Sequence, residues 1–419
     1  MEKVYEQWAI GSTTMKNRFV RSAIAESLCT TSGVPSKRLM DLYRGLVRGG
    51  VGMIITGYSY VCPDGKPSER ALCLSDDADM DSLRALAQAV HERQDDDEED
   101  PQAEVVSMPS LEELRAGAKV ERRQVGASAE RESGSRVIAQ LVYGGSKSTL
   151  TPDDPRSIAV EEPMGKHAAP QPNVDIVGPS PIAHPKTGLV PREATAADIE
   201  RIVKAFGTAA ARAKDAGFDG VEVHAAHGYL LSQFLDGRFN KRDDEYGGSL
   251  ENRARFALAC VRAVRAQVGD DYPVIVKLNS CDVLDDPQGA QGGMTEEESL
   301  QVAAWLVEAG ASCIEVSGDW HAVDRETITG EPFFGSFGTR LARRIDAPVI
   351  VTGGWRDPEI IERYLETTDI AAIGMGRPLI SQPFLPELWS AGYDNKAECD
   401  SCNFCAKHNG IPCILRKGK

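Results

Sequence analysis

Eight short apolar runs, separated by longer stretches of helical period, constrain this fold more than any other feature. The strand-like runs are Arg18–Ala23, Val51–Thr56, Arg136–Val142, Gly220–His224, Val274–Leu278, Cys313–Ser317, Pro348–Thr352 and Ile370–Gly374. Helical stretches fall between them at Ser36–Arg48, Met80–Glu92, Ala196–Ala216, Ser249–Val268, Glu296–Ala309, Phe337–Ile345 and Asp357–Thr367. Several helices run into glycine just before the next strand, as in Gly49-Gly50-Val51, Gly217-Phe218 and Gly310-Ala311. That is the turn of a parallel sheet with helices packed outside it. Strand–helix alternation at this count predicts an α/β protein of the (β/α)8 TIM-barrel class. The competing open sheet usually carries a Gly-x-Gly-x-x-Gly turn after an early strand, and none follows the first two strands here.

Two regions interrupt the repeat. Gln94–Ser135 is acidic and poor in aromatics, with thirteen Asp/Glu against six Lys/Arg over residues 92–132. It reads as a surface insertion of about 94–135 with one short helix at Ser110–Ala118. Ser148–Arg192 is rich in proline and follows the third strand, on the face where a barrel keeps its chemistry. Residues 1–390 are therefore expected to form one catalytic barrel, and 391–419 a cysteine-rich tail. No apolar run approaches the ~20 residues of a membrane span. The N-terminus lacks the layout of a signal peptide, so a cytoplasmic location is the default. A net charge of −16 argues against nucleic acid as a partner.

The fourth strand ends in His224-Ala-Ala-His227-Gly-Tyr229, and then a long polar loop is expected. His-x-x-His-x-Tyr at one strand terminus gathers proton-bearing groups where a barrel does chemistry. Zinc there would need a third ligand at motif spacing, and the stretch supplies none. A pair of histidines suits hydrogen bonding to a carbonyl or anionic oxygen, and Tyr229 suits proton donation. The last two strands run into Gly353-Gly354 and Gly376-Arg377, the loops where barrels commonly bind phosphate. Gln140, Lys277 and one of Arg21 or Ser22 are polar residues in strands that should be apolar inside. A buried lysine needs an anion or an electron-rich ring beside it. A flavin would satisfy all of these, with its pyrimidine edge on Gln140 and Lys277 stabilising negative charge at N1–O2.

At this point the chain resembles the Old Yellow Enzyme family of FMN-dependent NAD(P)H:flavin oxidoreductases. The resemblance rests on KNRFVRSA (16–23), GGVGMIITGYSYV (49–61), IAQLVYGG (138–145), AGFDGVEVHAAHGYLLSQFL (216–235), RDDEYGGSLENRARF (242–256), VTGGW (351–355) and AIGMGRP (372–378). It implies that Ser22, Ala23 and Tyr58 contact the flavin, that Gln140 and Lys277 hold its pyrimidine edge, and that Ser317, Gly318, Gly353, Gly354, Gly376 and Arg377 hold the ribityl phosphate. It also implies that His224 and His227 bind the activating carbonyl of the substrate and that Tyr229 donates the proton. The implied reaction is reduction of the C=C bond of α,β-unsaturated carbonyl compounds: NAD(P)H reduces FMN, and flavin N5 passes hydride to the alkene. Where many members have Thr or Cys near the flavin, this chain continues Ile24-Ala25-Glu26, and Glu26 would be an unusual charge there.

The tail carries Cys399-x2-Cys402-x2-Cys405-x7-Cys413. It is similar to the [4Fe–4S] ligand run of the 2,4-dienoyl-CoA reductase and trimethylamine dehydrogenase group, whose spacing after the second cysteine is slightly wider. Four thiolates also suit a structural zinc, or the motif is a vestige whose thiols pack. With a cluster, the chain would be a flavin- and iron-sulfur-dependent dehydrogenase or reductase passing electrons through the tail. The expected partners are a small-molecule substrate, a second copy of the chain and, in the cluster reading, a redox partner.

Overall fold

A computed structural model describes residues 1–92, 134–148, 175–185, 188–282, 292–318, 332–407 and 413, with the backbone of 104–107 and 121–124. Eight parallel strands close into a barrel: β1 Phe19–Arg21, β2 Met53–Ile55, β3 Arg136–Val142, β4 Gly220–Ala225, β5 Val274–Asn279, β6 Cys313–Ser317, β7 Val349–Thr352 and β8 Ala372–Met375. β4 pairs with both β3 and β5, and β8 pairs with β1, so the barrel has no free edge. The expected TIM barrel is the observed architecture.

The surrounding helices are α1 Lys37–Arg48, α2 Met80–His91, α3 Ala196–Asp215, α4 Leu230–Leu235, α5 Leu250–Val268, α6 Glu296–Glu308, α7 Gly335–Arg344, α8 Pro358–Thr367, α9 Arg377–Ser381 and α10 Leu385–Ser390. Their starts follow side-chain chemistry. Ser36, Thr195, Ser249, Thr295 and Asp357 each accept a backbone N–H of the first helical turn. Thr195 and Asp198 go further and form a reciprocal capping box. Gly217 ends α3 at a φ of 88°, a conformation that favours glycine.

Three features depart from the sequence expectation. The stretch after Tyr229 is not a polar loop at first: Leu230–Leu235 forms α4, and all six of its residues are buried. The acidic insertion contains an antiparallel ribbon, Glu104–Ser107 against Glu121–Gln124. A hairpin, Trp8–Ile10 with Thr13–Met15, lies under the barrel. The helix expected at Ser110–Ala118, most of the proline-rich segment after β3 and most of Trp320–Phe337 lie outside the described residues.

Alternation along the strands sorts the barrel interior into two layers. The lower layer is apolar: Trp8, Ile10 and Met15 of the hairpin pack with Val20, Met53, Ile55, Ile138, Ile275, Cys313, Ile350 and Ala372. Two residues further along, the inward positions become Ser22, Gln140, Glu222, Lys277, Glu315 and Thr352. Among the described residues, no helix is long and apolar enough to cross a membrane.

Candidate active site

Above the polar layer, at the C-terminal ends of the strands, is a cavity of about 510 Å³, a size that suits a cofactor with a small substrate. Its wall includes every residue named above as a flavin or substrate contact: Ser22, Ala23, Tyr58, Gln140, His224, His227, Tyr229, Lys277, Ser317, Gly318, Gly353, Gly354, Gly376 and Arg377. They come from all eight strands or the loops after them.

The histidine–tyrosine group is tightly packed. The His224 and His227 rings meet edge-on with centroids 5.0 Å apart, and His224 lies 4.8 Å from the Tyr229 ring. His224 is buried, and its Nδ1 accepts the Ala226 N–H at 3.3 Å. Burial first, then the charges of Lys277 and Lys147, hold its pKa well below the ordinary range. The ring is therefore neutral, and the one proton of the imidazole sits on Nε2. His227 takes a φ of 58°, which costs a non-glycine residue about 1 kcal/mol. Its N–H donates to Asn279 Oδ1 at 3.1 Å, and its Nε2 pairs with Ser317 Oγ at 2.9 Å. His227 is thus tied to β5 and β6.

Lys147 was not read from the sequence. Its ammonium lies 4.8 Å from the centroid of the Tyr229 ring and donates to the His227 carbonyl. No local pattern marks it, because it closes a single 3-10 turn, Gly145–Lys147, after the strand end. Glu222 and Glu315 were also missed, although each interrupts an apolar run at an inward register position. Glu222 lies beside Gln140 on β3, and Glu315 beside Lys277 on β5.

The glycine loops fit a phosphate cradle. Gly353 and Gly354 have φ of 128° and 81°, and a Cβ on Gly354 would come within 2.9 Å of Phe333. A side chain there would collide with Phe333, and both φ values favour glycine. Arg377 opens α9 beside it and donates to Asn403 of the tail.

Glu26 is not a wall residue of this cavity. It is buried against Arg21, whose guanidinium donates to it at 2.8 Å, and Tyr43 donates at 3.3 Å. Of the two candidates on β1, Ser22 therefore faces the cavity and Arg21 faces Glu26. In the tail, Cys405 reaches the cavity wall. The four tail cysteines are free thiols, and among the described residues no three His, Cys, Asp or Glu side chains gather closely enough to hold a metal ion.

The sequence matches the NADH:flavin oxidoreductase / NADH oxidase family over residues 3–95 and 121–395. An NADH oxidase of Thermoanaerobacter brockii is 32% identical over 406 residues, covering 96% of this chain and 52% of that protein. A cinnamate reductase of Clostridium sporogenes is 29% identical, over 95% of this chain and 54% of its own length. The chain thus spans about half the length of these relatives. Among solved structures, 2-naphthoyl-CoA reductase superposes with a TM-score of 0.76 at 26% identity, covering 99% of this chain and 57% of that one. Morphinone reductase superposes with a TM-score of 0.67 at 25% identity, covering 95% and 92%. The chain belongs to the NADH:flavin oxidoreductase / NADH oxidase family.

Proposed function

We propose that this protein is an FMN-dependent oxidoreductase that uses NAD(P)H to reduce the C=C bond of α,β-unsaturated carbonyl compounds. The observation that carries the reading is the convergence of His224, His227 and Tyr229 on one cavity with the Gln140–Lys277 floor and the Gly353–Gly354 loop. These residues fit FMN: Gln140 and Lys277 would hold the pyrimidine edge, and Ser22, Ala23 and Tyr58 would border the ring. Ser317, Gly318, Gly353, Gly354, Gly376 and Arg377 would take the ribityl phosphate. Bound there, FMN supplies hydride transfer from the nicotinamide to the alkene.

The remaining chemistry belongs to the chain. Neutral His224 presents Nε2–H to a carbonyl oxygen, and this donor does not switch off near neutral pH. His227, clamped by Asn279 and Ser317, is held for the same oxygen. A fixed Nε2–H on His224, with the His227 ring held beside it, stabilises the charge that grows on that oxygen. Tyr229 gives a proton to the α-carbon, and Lys147 offers counter-charge as the phenol releases it. Anaerobic stopped-flow tests the reading. NADH or NADPH should bleach the flavin band, and an enone should restore it; a flavin that enones leave bleached rejects alkene reduction.

A second reading is favoured by Cys405 on the cavity wall and by the Arg356 guanidinium, which donates to the Cys399 carbonyl at 2.7 Å. It makes the chain a dehydrogenase of the 2,4-dienoyl-CoA reductase or trimethylamine dehydrogenase type, with residues 391–419 as an electron outlet. Iron and sulfide analysis of anaerobically purified protein decides: flavin without iron removes this reading.

A further inference from the structure

The polar layer between the hairpin plug and the cavity contains two carboxyl groups with no exposure at all, Glu222 on β4 and Glu315 on β6. Glu315 Oε1 accepts three donors, each at 2.6 Å: Lys277 Nζ, Ser22 Oγ and Thr352 Oγ1. Lys277 also donates to Ser22 Oγ at 2.8 Å. Glu222 Oε2 accepts Gln140 Nε2 at 2.5 Å. The other two oxygens, Glu222 Oε1 and Glu315 Oε2, are buried and receive no donor from any neighbouring group. The two carboxyl groups interact with one another within this layer. Two ionised carboxylates in contact inside a barrel repel each other and lack solvent. A single proton between them satisfies both orphaned oxygens at once.

We propose that Glu222 and Glu315 hold one proton between them, Glu222 as the carboxylic acid and Glu315 as the carboxylate, and that this pair positions Gln140 and balances Lys277 beneath the pyrimidine edge of FMN. Glu222 then donates through Oε1–H to Glu315 Oε2, and its other oxygen fixes the Gln140 amide. That commits one Gln140 N–H downward and turns the rest of the amide to the cavity. The electrostatics agree in direction. Burial, then the charge of Glu315, pushes Glu222 well above the carboxylate range. Burial also pushes Glu315 up, but Lys277 and the hydrogen bonds into Glu315 outweigh it and leave it below that range. The other titratable groups facing the pair add no charge: His224 above is neutral, and burial keeps the Cys313 thiol below protonated. The floor therefore holds one cation and one anion. Glu222 and Glu315 are positioning residues that act on the cofactor through Gln140 and Lys277.

The inference rests on FMN occupying this cavity, and the test separates the two. FMN-loaded wild type is compared with Glu222→Gln and Glu315→Gln by infrared spectroscopy and by redox titration of the flavin. The wild-type spectrum minus that of Glu222→Gln should show the carbonyl stretch of a protonated carboxylic acid. Glutamine at 222 replaces a neutral acid with a neutral amide that still donates to Glu315, so the midpoint potential should stay put. Glu315→Gln removes the anion and leaves Lys277 uncompensated. The ratio of reduced to oxidised flavin at a fixed potential should then rise on the order of tenfold or more. A Glu222→Gln variant that moves the potential as far as Glu315→Gln overturns the shared proton, as does a difference spectrum without the acid band. If Glu315→Gln does not fold, wild type and Glu222→Gln still decide the matter. Wild type that binds no FMN defeats the cofactor reading instead.

Discussion

In the proposed reaction, Tyr229 is where binding and proton transfer can be separated, because phenylalanine keeps its ring against His224 and Tyr58 and loses only the hydroxyl. Tyr229→Phe should lower enone reduction by roughly 10²–10⁴-fold. Bleaching of the flavin by NAD(P)H should be unchanged in the same stopped-flow record. A different kind of residue is Arg21, whose head group is buried with Glu26. Arg21→Met leaves that buried carboxylate without its cation and should cost about 3–5 kcal/mol, read as a lower urea midpoint. The two residues also differ in how visible they are from sequence. Tyr229 was legible because its motif sits at a strand end beside two histidines. The Arg21–Glu26 pair was not, because strand alternation alone does not say which of Arg21 and Ser22 points inward. Glu222 and Glu315 show a related blindness: a lone charge in an apolar run is informative only when the neighbouring strand's register is known.

Among the elements, β5 and its exit show how a scaffold holds a strained residue. Asn279 at the end of β5 accepts the His227 N–H and donates to Asp282 Oδ1 at 3.2 Å, and Asp282 Oδ2 accepts the Met294 N–H at 2.7 Å. Burial, with Asp236 nearby, pushes the Asp282 carboxyl up to about 7. A folded-state pKa above the unfolded value of about 3.9 means that the folded state binds more protons over that interval. The contribution of Asp282 is therefore fully present below about pH 4 and is lost as pH rises through about 7. Denaturant titrations across this range should show that fall in wild type, and Asp282→Asn should flatten it. Strand and helix positions were readable from period to within a residue or two, as with β3 and α3. The short α4 was hidden because six buried residues give no polar face from which to read a period.

At the scale of the whole molecule, the hairpin under the barrel separates stability from chemistry. Ile10 is fully buried in the apolar lower layer, away from the cavity. Ile10→Ala should cost about 2–5 kcal/mol in a melt while flavin content and turnover at low temperature stay at wild-type values. This hairpin escaped the sequence reading because strands of three residues are too short to show alternation, and its turn offers only Gly11-Ser12. The barrel itself was legible because eight repeats of one unit reinforce each other where any single one is ambiguous.

The same plug has a consequence for traffic. Among the described residues the barrel is filled at its base, so in the proposed reaction the electron donor and the acceptor would both reach the cavity from its other end and compete for the same space. High enone should then slow the enzyme in competition with NAD(P)H, and high NAD(P)H in competition with enone. Steady-state rates over a grid of both concentrations check this; rates that rise monotonically with both would mean that the molecule has a second way in.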